Sequence, residues 1–134
     1  MSPRPLRHLS AAQCLDLLAT CRVGRVGITM GALPVILPVH FVVFDEGVLF
    51  TTAAGTKLDA AVKGTVVAFQ ADAYDPEGTA GWSVLPIGKA HEISDPADLD
   101  RAKAAAMTTW SSAERPLHYL HIKGEQISGR RFGP

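Results

Sequence analysis

Hydrophobic and polar residues alternate along much of the chain, and this alternation predicts a protein built mainly from β-strands. β-Branched and aromatic residues recur at every second position, as they do in strands that bury one face. The turn signal at Asp45, Glu46 and Gly47 predicts a hairpin. Pro86 and Gly88 predict an edge position or a bulge within one strand. Six segments follow the pattern: residues 22–29, 34–44, 48–52, 65–74, 81–93 and 116–122.

Three other segments have helical signals. Ser10 begins the first, over residues 10–20, and Gln13 stands at the spacing of a capping box. Thr56 begins the second, over residues 56–63, and Gly64 follows its end. The third begins near Pro96 and continues through the alanine-rich residues 99–110.

This order of elements predicts a mainly β (α+β) fold in a single domain, residues 1–134. Hairpin connections dominate, which favours an antiparallel sheet or small barrel with helices at its ends over a parallel sheet. Side chains fill the interior of a barrel of this size, so a large ligand would have to bind outside it. We therefore expect any cofactor in an outer groove or at a subunit boundary.

Composition and charge narrow the function classes. The 134 residues include 13 Lys plus Arg and 13 Asp plus Glu, and this balance argues against nucleic-acid binding through bulk charge. The most apolar run is too short to span a membrane and no secretory signal is evident, so we expect a soluble, cytoplasmic protein. Cys14 and Cys21 have no further cysteine to complete a metal set. His118 and His121 should face opposite sides of a strand, so no metal site is predicted.

One lysine stands where a helix should begin. In the stretch LFTTAAGTKLDAAV, Lys57 falls in the first turn, which already carries positive partial charge. A bound phosphate would make this placement favourable by accepting bonds from Thr52, Thr56 and the turn, where Gly55 allows a close approach. The alternative is an ordinary strand–helix turn with a solvated lysine.

The order of these pieces resembles the pyridoxamine 5′-phosphate oxidase-like, flavin-binding split-barrel family. The resemblance rests on RVGRVGI, PVILPVHFVVFDEGVLFTTAAGTKLDAAV, VVAFQAD and GWSVLPIGKAHEI, which cover most of residues 21–93, and on the tail QISGRR. It implies a six-stranded antiparallel split β-barrel with flanking helices. It also implies a homodimer that binds FMN at the subunit interface.

The resemblance implies two groups of residues around the flavin ring. The backbone of Pro38, Val39 and His40 would lie along the isoalloxazine, although His40 could instead be a buried histidine with satisfied hydrogen bonds. Trp82 and Ser83 would approach the flavin from another strand, of the same or of the second subunit. A core or dimer-contact role for Trp82 is the alternative.

The resemblance also implies a phosphate end. Thr51 and Thr52 would line the ring and the ribityl-phosphate chain, and Thr56 and Lys57 would bind the phosphate. The phosphate of FMN carries close to two negative charges, so Lys57 alone offsets it only in part. We expect a second cation, for which the candidates are Arg22, Arg25 and Lys63.

The implied activity is that of a flavin-dependent oxidoreductase that transfers a hydride or electrons to an unknown small molecule. The cofactor carries such chemistry, so no catalytic side chain is predicted. Vitamin B6 oxidation is not expected, because the C-terminal tryptophan and arginine motif of authentic pyridoxamine phosphate oxidase is absent and Leu58 follows Lys57. The alternatives are a deazaflavin-dependent reductase and a non-catalytic flavin- or haem-binding module.

Overall fold

The computed structural model describes residues 5–105 and 115–134 of the chain. Within them lie the helices α1 (Ala11–Leu18), α2 (Lys57–Val62) and α3 (Pro96–Ala105). The strands are β1 (Leu6–His8), β2 (Val23–Met30), β3 (Leu33–Phe44), β4 (Gly47–Ala53), β5 (Val66–Tyr74), β6 (Gly81–Glu92), β7 (Leu117–Lys123) and β8 (Gln126–Phe132).

Six of these strands close into an antiparallel barrel. They follow the order β6-β5-β2-β3-β4-β7, and β7 pairs back onto the end of β6, where Ala90 lies opposite Ile122 and Glu92 opposite Leu120. The six strands are those that the alternation predicts. The expected mainly β fold, a six-stranded antiparallel barrel with flanking helices, is confirmed.

Two further strands extend the sheet beyond the barrel. The first part of β6 pairs with β8, and β8 pairs with β1. The sequence pattern missed both strands, because β1 has only three residues and the inner face of β8 is not a row of large apolar side chains. Its Gly129 packs instead against α1, where an added Cβ would lie 2.6 Å from Cys14 Sγ.

The prediction of an edge position or a bulge at Pro86 and Gly88 was wrong. β6 is paired on both sides, with β5 and with β8. Its register with β5 is the same on both sides of a two-residue gap, from Val66 opposite Lys89 to Tyr74 opposite Gly81. No extra residue is inserted into β6, so there is no bulge. The ladder lacks only the two pairs at Leu85 and Pro86, and proline has no N–H to donate.

The inward faces of the barrel strands form a filled core. The rings of Phe41 and Phe69 meet edge to face at 4.8 Å between centroids, and Phe50 stacks on Phe69 at 6.3 Å. Gly24 lies directly against Phe69, and an added Cβ would fall 2.3 Å from a ring carbon. These contacts fill the middle of the barrel, and the cavities considered below lie on its outside.

The helices cover the ends of the sheet. Ser10 and Gln13 form the predicted capping box of α1, which buries Cys14. Arg101 of α3 bonds the Asp45 carboxylate at the β3–β4 turn. The predicted continuation of α3 to Trp110 lies outside the described residues. No helix among the residues described has both the length and the apolar character needed to cross a membrane.

Candidate functional site

The segment between β4 and α2 forms a tight turn, residues 53–56, that presents Lys57. Gly55 adopts a positive φ of 79°, which glycine tolerates without a steric penalty. The Thr56 hydroxyl accepts the Asp59 N–H at 3.1 Å, so Thr56 is the N-cap that the sequence predicts. The same hydroxyl donates to the Ala53 carbonyl at 2.8 Å. Thr56 therefore already uses its hydroxyl within the turn.

The carboxylate of Asp59 supplies the negative charge behind this turn. It is almost fully buried and accepts the Thr52 hydroxyl at 2.7 Å and the Gly55 N–H at 3.2 Å. His118 Nδ1 lies 2.8 Å from the same carboxylate. The Thr52 hydroxyl and the Gly55 N–H thus donate to Asp59, although local chemistry would offer both donors to a phosphate.

Asp59 keeps its charge in this setting. Burial alone would raise the pKa of the carboxyl, but hydrogen bonds from Thr52, His118 and Gly55 together hold the pKa below its ordinary value. Lys63 Nζ stands 3.7 Å from Asp59 and 3.5 Å from Glu92, so two carboxylates share this cation. An anionic Asp59 requires that His118 donate its Nδ1–H.

Lys57 lies on the other side of α2. It is exposed and lines a cavity of about 520 Å³ whose other lining residues are Thr29, Met30, Gly31, Ala60 and Ala61. Lys57 is the only charged residue of that lining, and within the described chain it makes no ion pair. A ligand with a negative charge would therefore meet one cation in mostly apolar surroundings.

The three predicted ring residues of β3 face two ways. Val39 points inward and is buried in the core, whereas Pro38 is exposed and His40 is half-buried on the outward side. Alternation along a strand produces this split. Only backbone and outward side chains of this segment can meet a ligand outside the barrel.

The predicted residues of β4 and β6 also divide between the two faces. Thr51 is half-buried and lies opposite Tyr119 of β7. Trp82 is only 7% exposed and belongs to the core cluster. Ser83 faces outward, and its hydroxyl accepts a hydrogen bond from Gln70 Nε2 at 3.3 Å. Within one chain, then, Thr52, Thr56 and Lys57 come together around α2, while Ser83 belongs to another part of the sheet.

None of the three candidate second cations lines the Lys57 cavity. Arg25 bonds Gln70 at 3.5 Å and lies 3.8 Å from Asp72, and Lys63 is shared by two carboxylates. Arg22 lies just ahead of β2, where its carbonyl accepts the Phe41 N–H at 3.0 Å.

Sequence reasoning missed a cation beside Ser83. Arg130 of β8 lies directly opposite Ser83 in the register, and both line an outer cavity of about 390 Å³. The alternation in QISGRRF, with Ser128 and Arg130 on one face, is the signal that could have identified it. For Asp59 and His118 no such signal exists, because they are 59 residues apart in sequence.

The two histidines considered as metal ligands do face opposite sides. His118 reaches Asp59, whereas His121 Nε2 lies 2.8 Å from the Phe44 carbonyl. No set of three or more His, Cys, Asp or Glu side chains within the described residues has an arrangement that could hold a metal ion.

Comparison with known proteins shows which family has a similar sequence. The family model for pyridoxamine 5′-phosphate oxidase matches residues 10–131. An uncharacterized protein of Mycobacterium tuberculosis, Rv0080, is 40% identical over 105 residues, which are 75% of this chain and 69% of the relative.

Solved structures agree with this match. The FAD binding protein of Mycobacterium smegmatis superposes with a TM-score of 0.84 at 39% identity, over 96% of this chain and 99% of that one. A FAD-binding protein of Mesorhizobium loti gives a TM-score of 0.74 at 25% identity, over 98% and 100%. The chain belongs to the pyridoxamine 5′-phosphate oxidase-like split-barrel family, as a relative of the authentic oxidase and not as that enzyme itself.

Proposed function

We propose that this protein is a flavin-binding oxidoreductase that acts as a homodimer, with the flavin at the subunit boundary and its phosphate end at Lys57. The observation that carries the proposal is the near full-length similarity to the FAD binding protein of M. smegmatis. The cavity beside Lys57 supports it, since that lysine has no other charge to balance within the described lining. A bound flavin would supply the hydride or electron transfer.

An apolar outer face supports the dimer. We define the outer face as the outward surface of β3, β2, β5 and β6. Ile36 and Val66 are each 71% exposed on it. Gly27 and Ala68, opposite one another in the sheet, keep its middle flat. A monomer seldom leaves so much apolar sheet in water, and a second copy of this chain is the occupant that the resemblance implies.

Arg130 is the second cation of the proposed site. It lies beside Ser83, which the resemblance brings to the flavin and which we propose comes from the other subunit, and its cavity shares no lining residue with that of Lys57. Among the described residues, Arg130 forms no ion pair. In a dimer with a shared site, Lys57 and Ser83 come from different subunits, and Arg130 would accompany Ser83.

FAD is the form of the cofactor that we propose in place of the FMN expected from the sequence. Both solved structures described above are of FAD-binding proteins. The two phosphates of FAD each carry a single charge, which suits isolated cations better than the doubly charged phosphate of FMN. FMN and a deazaflavin remain the two alternatives that the test must separate.

The test is the identity and affinity of the flavin. We expect the purified protein to bind FAD and to show flavin absorbance. The cofactor that it releases on denaturation should have the mass of FAD. Lys57→Ala should weaken binding about tenfold or more, because it removes a charge-assisted phosphate contact. Lys103→Ala, which removes an exposed lysine of α3, is the matched control and should leave the dissociation constant unchanged.

The proposal fails if no flavin or deazaflavin binds in a titration. If the protein releases FMN or a deazaflavin, that cofactor takes the place of FAD in the proposal. Light scattering should give a dimer, and a monomer in the flavin-bound state would contradict the shared site. Turnover with reduced nicotinamides and common acceptors separates an oxidoreductase from a protein that only binds flavin.

A further inference from the structure

Asp59 connects three separate parts of the chain around the turn that presents Lys57. Its two carboxylate oxygens take donors from the end of β4 (Thr52), from the turn itself (Gly55) and from β7 (His118). The distances of 2.7, 3.2 and 2.8 Å are those of ordinary or strong hydrogen bonds. A single buried anion therefore ties the turn to two strands of the barrel.

The turn is also held from its other side. The Ala54 N–H donates to the Pro116 carbonyl at 2.8 Å, and Arg115 Nη1 donates to the Ala54 carbonyl at 3.2 Å. These contacts attach Ala54 to the segment that leads into β7, while Asp59 attaches Gly55. Lys57 follows two residues after Gly55, so both anchors determine where its backbone lies.

Asp59 and Lys57 occupy different faces of α2. Lys57 shares its face with Ala60 and Ala61 along the cavity, whereas Asp59 and Val62 are buried against the barrel. The charge of Asp59 is balanced by Lys63, and His118 donates a hydrogen bond to it from the barrel side. Lys57 therefore remains available to a ligand even though an anion stands two residues away.

We propose that Asp59, with His118 as its partner, is the positioning residue of the phosphate-binding lysine: it fixes the turn so that Lys57 faces the cavity. This inference rests on the proposed function, since the phosphate belongs to the flavin. Asp59 itself touches no ligand and acts only through the backbone of the turn.

Asp59→Asn provides the test, because it keeps the shape of the side chain and removes one acceptor. The substitution also removes the negative charge, so the bonds from Gly55, Thr52 and His118 lose their charge-assisted strength whichever way the amide faces. We expect the dissociation constant for FAD to rise about tenfold. Riboflavin, which has no phosphate, should bind Asp59→Asn within twofold of the wild-type affinity.

A second pair of variants covers the case in which Asp59→Asn does not fold. Thr52→Val removes one donor to Asp59 at nearly constant volume, and Thr52→Ser keeps that donor. We expect Thr52→Val to weaken FAD binding severalfold, without an effect on riboflavin, and Thr52→Ser to restore it. Asp98→Asn, on the exposed first turn of α3, is the matched control and should change neither affinity.

Three results would overturn the positioning role. The first is an unchanged FAD affinity in Asp59→Asn, and the second is an equal loss of FAD and riboflavin, which would indicate general destabilisation. The third comes from amide hydrogen exchange, which needs no ligand: the Gly55 amide should exchange faster in Asp59→Asn, and unchanged protection would refute the role. If the wild-type protein binds no flavin at all, the proposed function fails, and hydrogen exchange still decides whether Asp59 holds the turn.

Discussion

Complementation between two defective chains would show directly whether the flavin site is shared. Lys57 and Arg130 line cavities with no residue in common, and the proposed dimer brings the Lys57 of one subunit to the Arg130 of the other. Lys57→Ala and Arg130→Ala should therefore each damage both sites of a homodimer. We expect each variant alone to weaken FAD binding about tenfold, as expected for one charge-assisted contact.

A mixed dimer of the two variants behaves differently if the site is shared. One of its sites receives Lys57 and Arg130 from the two chains in intact form, and the other site receives neither. About half of the sites should thus regain wild-type affinity, as the two-fold symmetry of a dimer requires. The remaining half should bind about a hundredfold more weakly, if the two losses add.

The assay is a flavin-fluorescence titration of heterodimers isolated by two different affinity tags. Two classes of site in equal number are the expected result. A single class with the affinity of the separate variants would refute the reasoning, because it would mean that Lys57 and Arg130 serve the same site from one chain. The doubly tagged wild-type dimer is the control for the effect of the tags.

Two predictions concern stability. Gly24→Ala should lower the free energy of unfolding by about 1–3 kcal/mol, because its Cβ would lie 2.3 Å from the Phe69 ring. Denaturant unfolding measures this change, and an unchanged midpoint would contradict the packing of Gly24 against Phe69. The pKa of Asp59 is lowered on folding, so its contribution to stability is complete above the unfolded pKa of about 4 and disappears as the pH falls through the lower folded pKa. The difference in unfolding free energy between the wild type and Asp59→Asn should therefore shrink below about pH 4, with His118, Lys63 and Glu92 common to both proteins, and a constant difference down to pH 2 would contradict the assignment.

The alternation of residues was enough to predict the six strands of the barrel, because a strand that buries one face must place apolar side chains at every second position. β2, β3 and β5 do so with Val26, Phe41 and Phe69. The same rule fails for β8, where glycine meets α1 and the outward residues are polar. A strand whose inner contact is backbone against a helix has no hydrophobic signature, and the cation Arg130 was missed together with it.

Local sequence predicts some residues of the candidate site and misses others. Thr56 and Lys57 follow from rules about helix starts that need only a few neighbouring residues. His118 lies 59 residues from Asp59, and no local rule connects a histidine of one strand to a helix that far away. Spacing did predict that His118 and His121 face opposite sides, because alternation is a property of one strand.

The position of Lys57 is explained by a division of charge across α2. A lysine in a first helical turn is slightly unfavourable, by about 0.3–1 kcal/mol, when nothing offsets it. Asp59 offsets the positive end of the helix from the barrel side, where Thr52, Gly55 and His118 hold it. Because that anion already has its own donors and the cation Lys63, it does not draw Lys57 inward. The lysine is left with one charge on the cavity side, which is too little for a doubly charged phosphate and sufficient for one phosphate of a dinucleotide. In the proposed dimer, the second positive charge comes from Arg130, which lies beside Ser83.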